Sequence, residues 1–526
     1  MRCLICISLL LFFTPAILRA DDHAVAKPAP LAGKFGDQHD GTYVNPILPA
    51  DFSDIDAIRV DDDFYAISST MPFSPGMVIL HSKDLVNWRI VGHAIEDLTQ
   101  IGPEMNWDRM GRYGRGVWAG AIRHHAGKFW IYFGTPDEGL FVTTAKDAAG
   151  PWAPLKHVLA ARGWDDCCPF WDEGGAGYLV ATNFADNYTI HLFGLSDDGA
   201  SIRRGSDRII HQSRGSEANK LYKIGGIYYH YFSEVRSEGR VAMMERAASL
   251  DGPWEIRQLN HVNKKIDREP NQGGLIELAD DRWFFLTHHG TGDWEGRPLS
   301  LLPVTWLQGW PVIGAPGADG IGQMVWRDVK PINGPALAER AEPEEFDLPR
   351  LSPQWEWNHQ PRADMWSLSE RPGFLRLRAF PPRKPDELLN AGNTLTRRMM
   401  RRPTDRCEAR IDISQMVDGQ RAGLCHFAKT FASIGVWQDG GTRTIAFDRQ
   451  GKTTTGPAIK TNEIFLRCSW DIDGNAQFAY STDGDSFTIL GDKHQLAWGN
   501  YRGERIGLFC YNNNSVGGLV DVDWVH

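Results

Sequence analysis

The sequence predicts an all-β protein, a five-bladed β-propeller followed by a β-sandwich. Three observations carry this. Helical periodicity is nearly absent along the 526 residues. One pattern recurs five times: a polar residue, a short apolar strand, a tight turn, then an aromatic-rich strand. Its spacing is about fifty residues, close to the length of a four-stranded propeller blade. Past a Pro/Ala/Glu connector, alternating strands resume without that repeat.

Taken in order, the chain opens "MRCLICISLLLFFTPAILRADD". One arginine, an apolar run from Leu4 to Phe13 and small residues up to Ala20 predict a signal peptide over residues 1–20, cut before Asp21. Export to the periplasm or the medium follows. No later run approaches the roughly eighteen apolar residues of a membrane span, so no membrane partner is expected. Residues 21–41 form a Pro/Ala-rich lead, "AVAKPAPLAGKFGDQHDG" being its main part.

The propeller is expected over residues 42–330. Its repeats are "DIDAIRVDDDFYAISS", "WAGAIRHHAGKFWIYFG", "DDCCPFWDEGGAGYLVATN", "EANKLYKIGGIYYHYFSE" and "NQGGLIELADDRWFFLTHHG". Their centres carry Asp-, Ala- and Gly-rich turns, which suit tight hairpins. A shorter strand pair such as "VILHSKDLVNW" or "LFVTTAKDAAGPW" follows each repeat and completes the blade. Residues 331–344 read as a linker without strand pattern, and 345–526 as the sandwich, with "FLRLRAF", "TIAFDR" and "GLVDVDWV" alternating.

The formal charge of -10 and a pI near 5.9 exclude nucleic acid as the main partner. Twenty tryptophans supply core and flat apolar faces of the kind that meet sugar rings. Cys3 and Cys6 leave with the signal peptide. The remaining Cys167, Cys168, Cys407, Cys425, Cys468 and Cys510 are too sparse for a disulfide scaffold and lack zinc-type spacing. Cys167 and Cys168 read equally as two buried thiols or a vicinal disulfide.

A propeller gathers the openings of its innermost strands at one mouth. Blades one, three and four open on Asp54 and Asp56, on Asp165 and Asp166, and on Glu217. Like charges at close range raise one another's pKa, so such a gathering implies a use. Glycoside hydrolysis is one: it needs a protonated acid, an ionised partner and, where a third carboxyl is present, a group that tunes the acid.

Here the chain resembles glycoside hydrolase family 43. "NPILPADFSDIDAIRV", "HSKDLVNW", "GVWAGAIRHHAGKFW", "EANKLYKIGGIYY" and "GRPLSLLPVTWLQGWPVIG" look like its blade motifs in order. "SLSERPGFLRLRA", "GQRAGLCHF" and "SIGVWQDGG" resemble its appended concanavalin-like, jelly-roll sandwich. The resemblance implies an inverting, metal-independent enzyme that removes a terminal pentose, α-L-arabinofuranose or β-D-xylose, from an oligo- or polysaccharide, with arabinofuranose ranked first. It implies Asp54 as general base, Glu217 as general acid and Asp166 as modulator of the acid's pKa. This chain departs from the family at Ser53-Asp54-Ile55, which lacks the flanking prolines, and at Asn271, where a histidine is common. Two other readings compete: a non-catalytic sugar-binding propeller or lectin, and an endo-arabinanase.

Trp118, Arg297, Phe73 and His288 are the candidate sugar contacts, with Trp164 behind them; the plain alternative for the aromatics is core packing, and for Arg297 a surface ion pair. His288 and His289 suit hydrogen-bonded channel positions better than metal ligation, because no other ligand spacing accompanies them. Asp51, Asp56 and Asp165 read as turn or supporting residues. Phe427 or Phe431 of "HFAKTF" is a candidate to cross from the sandwich and close the pocket. No cofactor is expected for catalysis. Glu345, Asp347 and Asp523 are candidate oxygen ligands for a structural calcium ion, with a solvated strand edge as the alternative.

Overall fold

The computed structural model describes residues 33–262, 270–289, 293–333 and 343–526. The expected signal peptide, most of the lead, the middle of the connector and the side chain of His289 lie outside the described residues. Among the described residues every regular element is a strand or a short 3₁₀ turn, and no helix is long and apolar enough to cross a membrane.

Five antiparallel four-stranded sheets follow one another along the chain. Their innermost strands are Asp56–Val60, Gly120–His125, Trp164–Trp171, Glu217–Ile224 and Pro270–Glu277. Each packs beside the next, and the fifth returns to the first, so the sheets close a ring that fits the expected five blades. Closure is made by the N-terminal segment. Gly36–Asp37 pairs with Thr42–Val44, which pairs with Arg327–Val329 beyond the fifth blade. Strand structure thus begins inside the stretch expected as a plain lead. The buried Asn45 amide reinforces the seam by donating to the carbonyls of Leu301 and Val325.

Period-two alternation explains the adjacent cysteines. Consecutive strand residues face opposite ways. Cys167 accordingly joins the apolar cluster shared with blade two, through Tyr132 and Leu140, and Cys168 the one shared with blade four, through Leu221 and Phe232. Both are free thiols, and so are Cys407, Cys425, Cys468 and Cys510.

The C-terminal domain is two eight-stranded sheets packed over one apolar core. One of them takes its edge strand from the propeller: Phe73–Ser74 pairs with Glu356–Asn358. Phe73, 1% exposed, lies beneath the guanidinium groups of Arg502 and Arg505, each 3.9 Å from its ring centre. It is a packing residue of the domain interface, which corrects the expected sugar contact. Phe427 and Phe431 are buried in the same cluster, Phe427 with its ring 6.3 Å from that of Phe73. They bind the domains together and do not reach the mouth.

Around the residues offered for calcium the structure shows ion pairs at the strand edge. Glu345 pairs with His526 at 2.6 Å and Asp523 with Arg410 at 2.7 Å, while Asp347 is exposed. Among the described residues no three His, Cys, Asp or Glu side chains are grouped to hold a metal ion.

Candidate active site

The mouth of the ring is shaped by backbone irregularities. Blades three, four and five each carry a register shift near the start of the innermost strand, at Asp165/Cys168, Glu217/Lys220 and Pro270/Gly273. Such bulges re-aim a side chain at the cost of a ladder bond. Asp166 (φ 49°) and Ala218 (φ 69°) take left-handed conformations inside them, and Asp54 (φ 58°) does so just before the first strand. Left-handed backbone is costly for residues with a Cβ. Here it falls on two of the carboxylates and on the neighbour of the third.

Asp54 is buried and held on every side. Its Oδ1 accepts from Arg297 Nη1 at 2.8 Å and its Oδ2 from Ser69 Oγ at 2.5 Å. Its own N–H donates to His288 Nδ1 at 2.5 Å, which puts the imidazole proton on Nε2. Arg297 is fixed in turn, its backbone N–H donating to Asp51 Oδ1. Asp51 therefore supports the site, and His288 orients Asp54 from the channel.

Asp166 accepts from the backbone N–H of Ala218 at 2.8 Å and from the Gln272 amide. Burial, then the charge of Glu217, push its carboxyl up to about 7 against the pull of the Ala218 N–H; Asp54 adds to the rise. Glu217 is more open, with 26% of its side chain exposed against 10% for Asp54. Its Oε1 lies 3.2 Å from Asn271 Nδ2 and 3.3 Å from Arg240 Nη1. Ser233 Oγ donates to Asn271 Oδ1, which turns the amide NH₂ towards Glu217. Asn271, the departure from the family pattern, is thus a hydrogen-bond donor to the candidate acid.

Blade five knits the set together: Asn271 reaches Glu217, Gln272 reaches Asp166, and His288 reaches Asp54. Trp118 stands half-buried at the opening of blade two, with its ring 5.9 Å from Phe184. Trp164 is core, packed on His191 and Phe193. Asp56 ties blade one to blade two, accepting from the Ile122 N–H and from Arg123 Nη1 at 2.7 Å.

Two features go beyond the sequence reading. Asp165, expected at the mouth as a turn or supporting residue, is strongly perturbed there: its carboxyl is pushed well up, first by burial and then by Asp166, with Asp54 and Glu217 adding to the rise. Its Oδ1 has no hydrogen-bond partner among the described residues and nests where a Cβ on Gly134 would come within 2.3 Å. Two consecutive aspartates on a strand that alternates its faces were the available signal. The second feature is the sandwich loop around residues 498–502. Trp498 faces the Arg297 guanidinium, 5.5 Å from the ring centre, and the exposed Tyr501 meets Trp118 at 6.2 Å. No sequence pattern marks that contact, because domain docking creates it.

Comparison with known proteins gives one answer. The model described as glycosyl hydrolases family 43 matches residues 43–311, and that of the beta xylosidase C-terminal concanavalin A-like domain matches 343–526. A beta-xylosidase from Formosa agariphila is 35% identical over 94% of this chain and 91% of its own length. A non-reducing end alpha-L-arabinofuranosidase from Bacteroides ovatus is 32% identical over 64% of this chain and 65% of the relative. Among solved structures, a bifunctional GH43-CE protein from Bacteroides eggerthii superposes with a TM-score of 0.81 at 29% identity, covering 92% of this chain and 63% of that one.

Proposed function

The chain belongs to glycosyl hydrolase family 43, and from that premise we propose an exported, inverting exo-enzyme that releases terminal β-D-xylose or α-L-arabinofuranose from plant cell-wall oligo- or polysaccharides. The observation that carries the reading is the set of three carboxylates from three blades, each in a different hydrogen-bonding environment. Asp54, held against Arg297 and Ser69, deprotonates the attacking water. Glu217, the more open, protonates the glycosidic oxygen. Asp166, buried and tied to the backbone beside Glu217, modulates that proton. Trp118 and Arg297 contact the sugar, and the 498–502 loop walls the mouth, which favours a pocket for chain ends over a groove. Relatives matching more than nine-tenths of this chain, or close to it, are named beta-xylosidase or putative beta-xylosidase. That ranks β-D-xylose first, the reverse of the order the motifs alone suggest.

The test is hydrolysis of xylobiose and of the 4-nitrophenyl β-D-xyloside and α-L-arabinofuranoside. Asp54→Ala is expected to lose ~10²–10⁴-fold on each substrate that the wild type cleaves. Glu217→Ala is expected to lose as much on xylobiose and far less on the nitrophenyl glycoside, whose leaving group needs no proton. The first-formed xylose should be the α-anomer by NMR. A β-anomer would refute inversion, and wild-type inactivity on all three substrates would refute the pentose reading.

A further inference from the structure

Each of the three carboxylates has a cation, but not in the same way. Arg297 binds Asp54 directly at 2.8 Å, and Arg240 approaches Glu217 at 3.3 Å. Asp166 has its cation at one remove. Lys220 is 1% exposed in the channel below, and its Nζ donates to Gln272 Oε1 at 3.1 Å. An amide with its oxygen so engaged can offer only its NH₂ on the other side, and that NH₂ donates to Asp166 Oδ1. Lys220 thereby fixes which way Gln272 points.

The arrangement addresses a real conflict. Asp166 and Glu217 are close enough to interact, so at working pH one proton has two places to sit. Arg240, 3.3 Å from Glu217 Oε1, draws negative charge towards the Glu217 end of the pair. Against this stand the Ala218 N–H, the Gln272 NH₂ and the positive charge of Lys220, all acting on Asp166. Arg240 has 19% of its side chain exposed and is partly screened by water, whereas Lys220 works from the buried channel, where screening is weak. Of the other acidic groups facing Asp166, Asp54 disfavours its charge, while the Asp165 carboxyl is itself pushed well up by burial and by Asp166.

We propose that Lys220 is a positioning residue which, through Gln272, opposes protonation of Asp166 and so biases the transferable proton of the pair towards Glu217. This rests on Asp166 and Glu217 acting as read above. A direct Lys–Asp166 pair would hold Asp166 permanently ionised; the intervening amide passes on a weaker bias and supplies the geometry. Nothing in the reaction touches Lys220 itself.

The experiment compares full-length wild type, Lys220→Met, Gln272→Leu and the double variant on xylobiose and on 4-nitrophenyl β-D-xyloside, with thermal unfolding of each. The expected result is a loss of kcat on xylobiose at least about tenfold greater than on the nitrophenyl substrate, with KM little changed. Gln272→Leu should reproduce it, and the double variant should be no worse than the poorer single one, since both remove one relay. Equal losses on the two substrates, or losses that multiply in the double variant, would overturn the proposal while leaving the catalytic reading intact. Should Lys220→Met fail to fold, Gln272→Leu decides alone: an unchanged ratio between the substrates overturns it. A wild type inactive on both substrates removes the catalytic reading and this inference with it.

Discussion

Asp166 illustrates what the proposed catalytic arrangement asks of the fold. Its carboxyl is raised from 3.8 to about 7, so the native state holds a proton that the unfolded chain has released across that interval. The stability this contributes is complete below pH 4 and is lost as pH rises towards 7. Glu504, fully buried with Oε1 unpartnered among the described residues, is raised from 4.5 to about 8 and acts in the same direction over the higher window. Asp166→Asn should therefore flatten the fall in melting temperature between pH 4 and 7 relative to wild type, and Glu504→Gln between pH 5 and 8. Parallel curves for wild type and variant would mean the group is not raised. Asp54, Asp166 and Glu217 were legible in the sequence as acidic openings of repeats, and only the family resemblance set them apart from Asp56 and Asp165. The upward push on the Asp166 carboxyl was not, because it arises from burial and from neighbours that only the closed ring brings near.

Strand openings and docking segments differ in how they are encoded. The five innermost strands follow from local alternation and turn residues, and sequence reading located each of them. Phe73–Ser74 is only two residues long and finds its partner some 280 residues onward, so nothing local announces it. An aromatic near a strand end then reads equally as platform or core, and the structure makes it core. Phe73→Ala should cost about 3–5 kcal/mol, as for a buried phenylalanine elsewhere, with activity near wild type at temperatures well below the melting point. A fall in kcat/KM with unchanged stability would restore the sugar-contact reading. The 498–502 loop carries the complementary expectation. Tyr501→Ala removes an exposed ring beside Trp118 and should raise KM for xylobiose several-fold, with kcat within about threefold, because it alters binding at the mouth and no proton transfer. An unchanged KM would mean the loop does not wall the pocket.

The two domains are built as one folding unit. Trp294 leaves the propeller after the fifth blade's second strand and is buried at 1% exposure in the sandwich core, with Nε1 donating to the Ile472 carbonyl and Arg401 against its ring. Glu356 of the sandwich is fully buried between Arg398, Arg505 and the propeller's His93, which hold its carboxyl far below the ordinary range. Neither domain can separate without exposing an indole-sized cavity and an unpaired buried charge, each worth several kcal/mol. Calorimetry should therefore show one cooperative transition for the whole chain. Trp294→Ala should lower it and divide it in two, since this change loosens the docking and leaves the propeller's own ring intact. Reductant should shift neither curve, because the six cysteines described are free and buried. Two transitions in the wild type would show that the shared edge strand and Trp294 do not couple the domains, and the wall of the mouth would then be a mobile one.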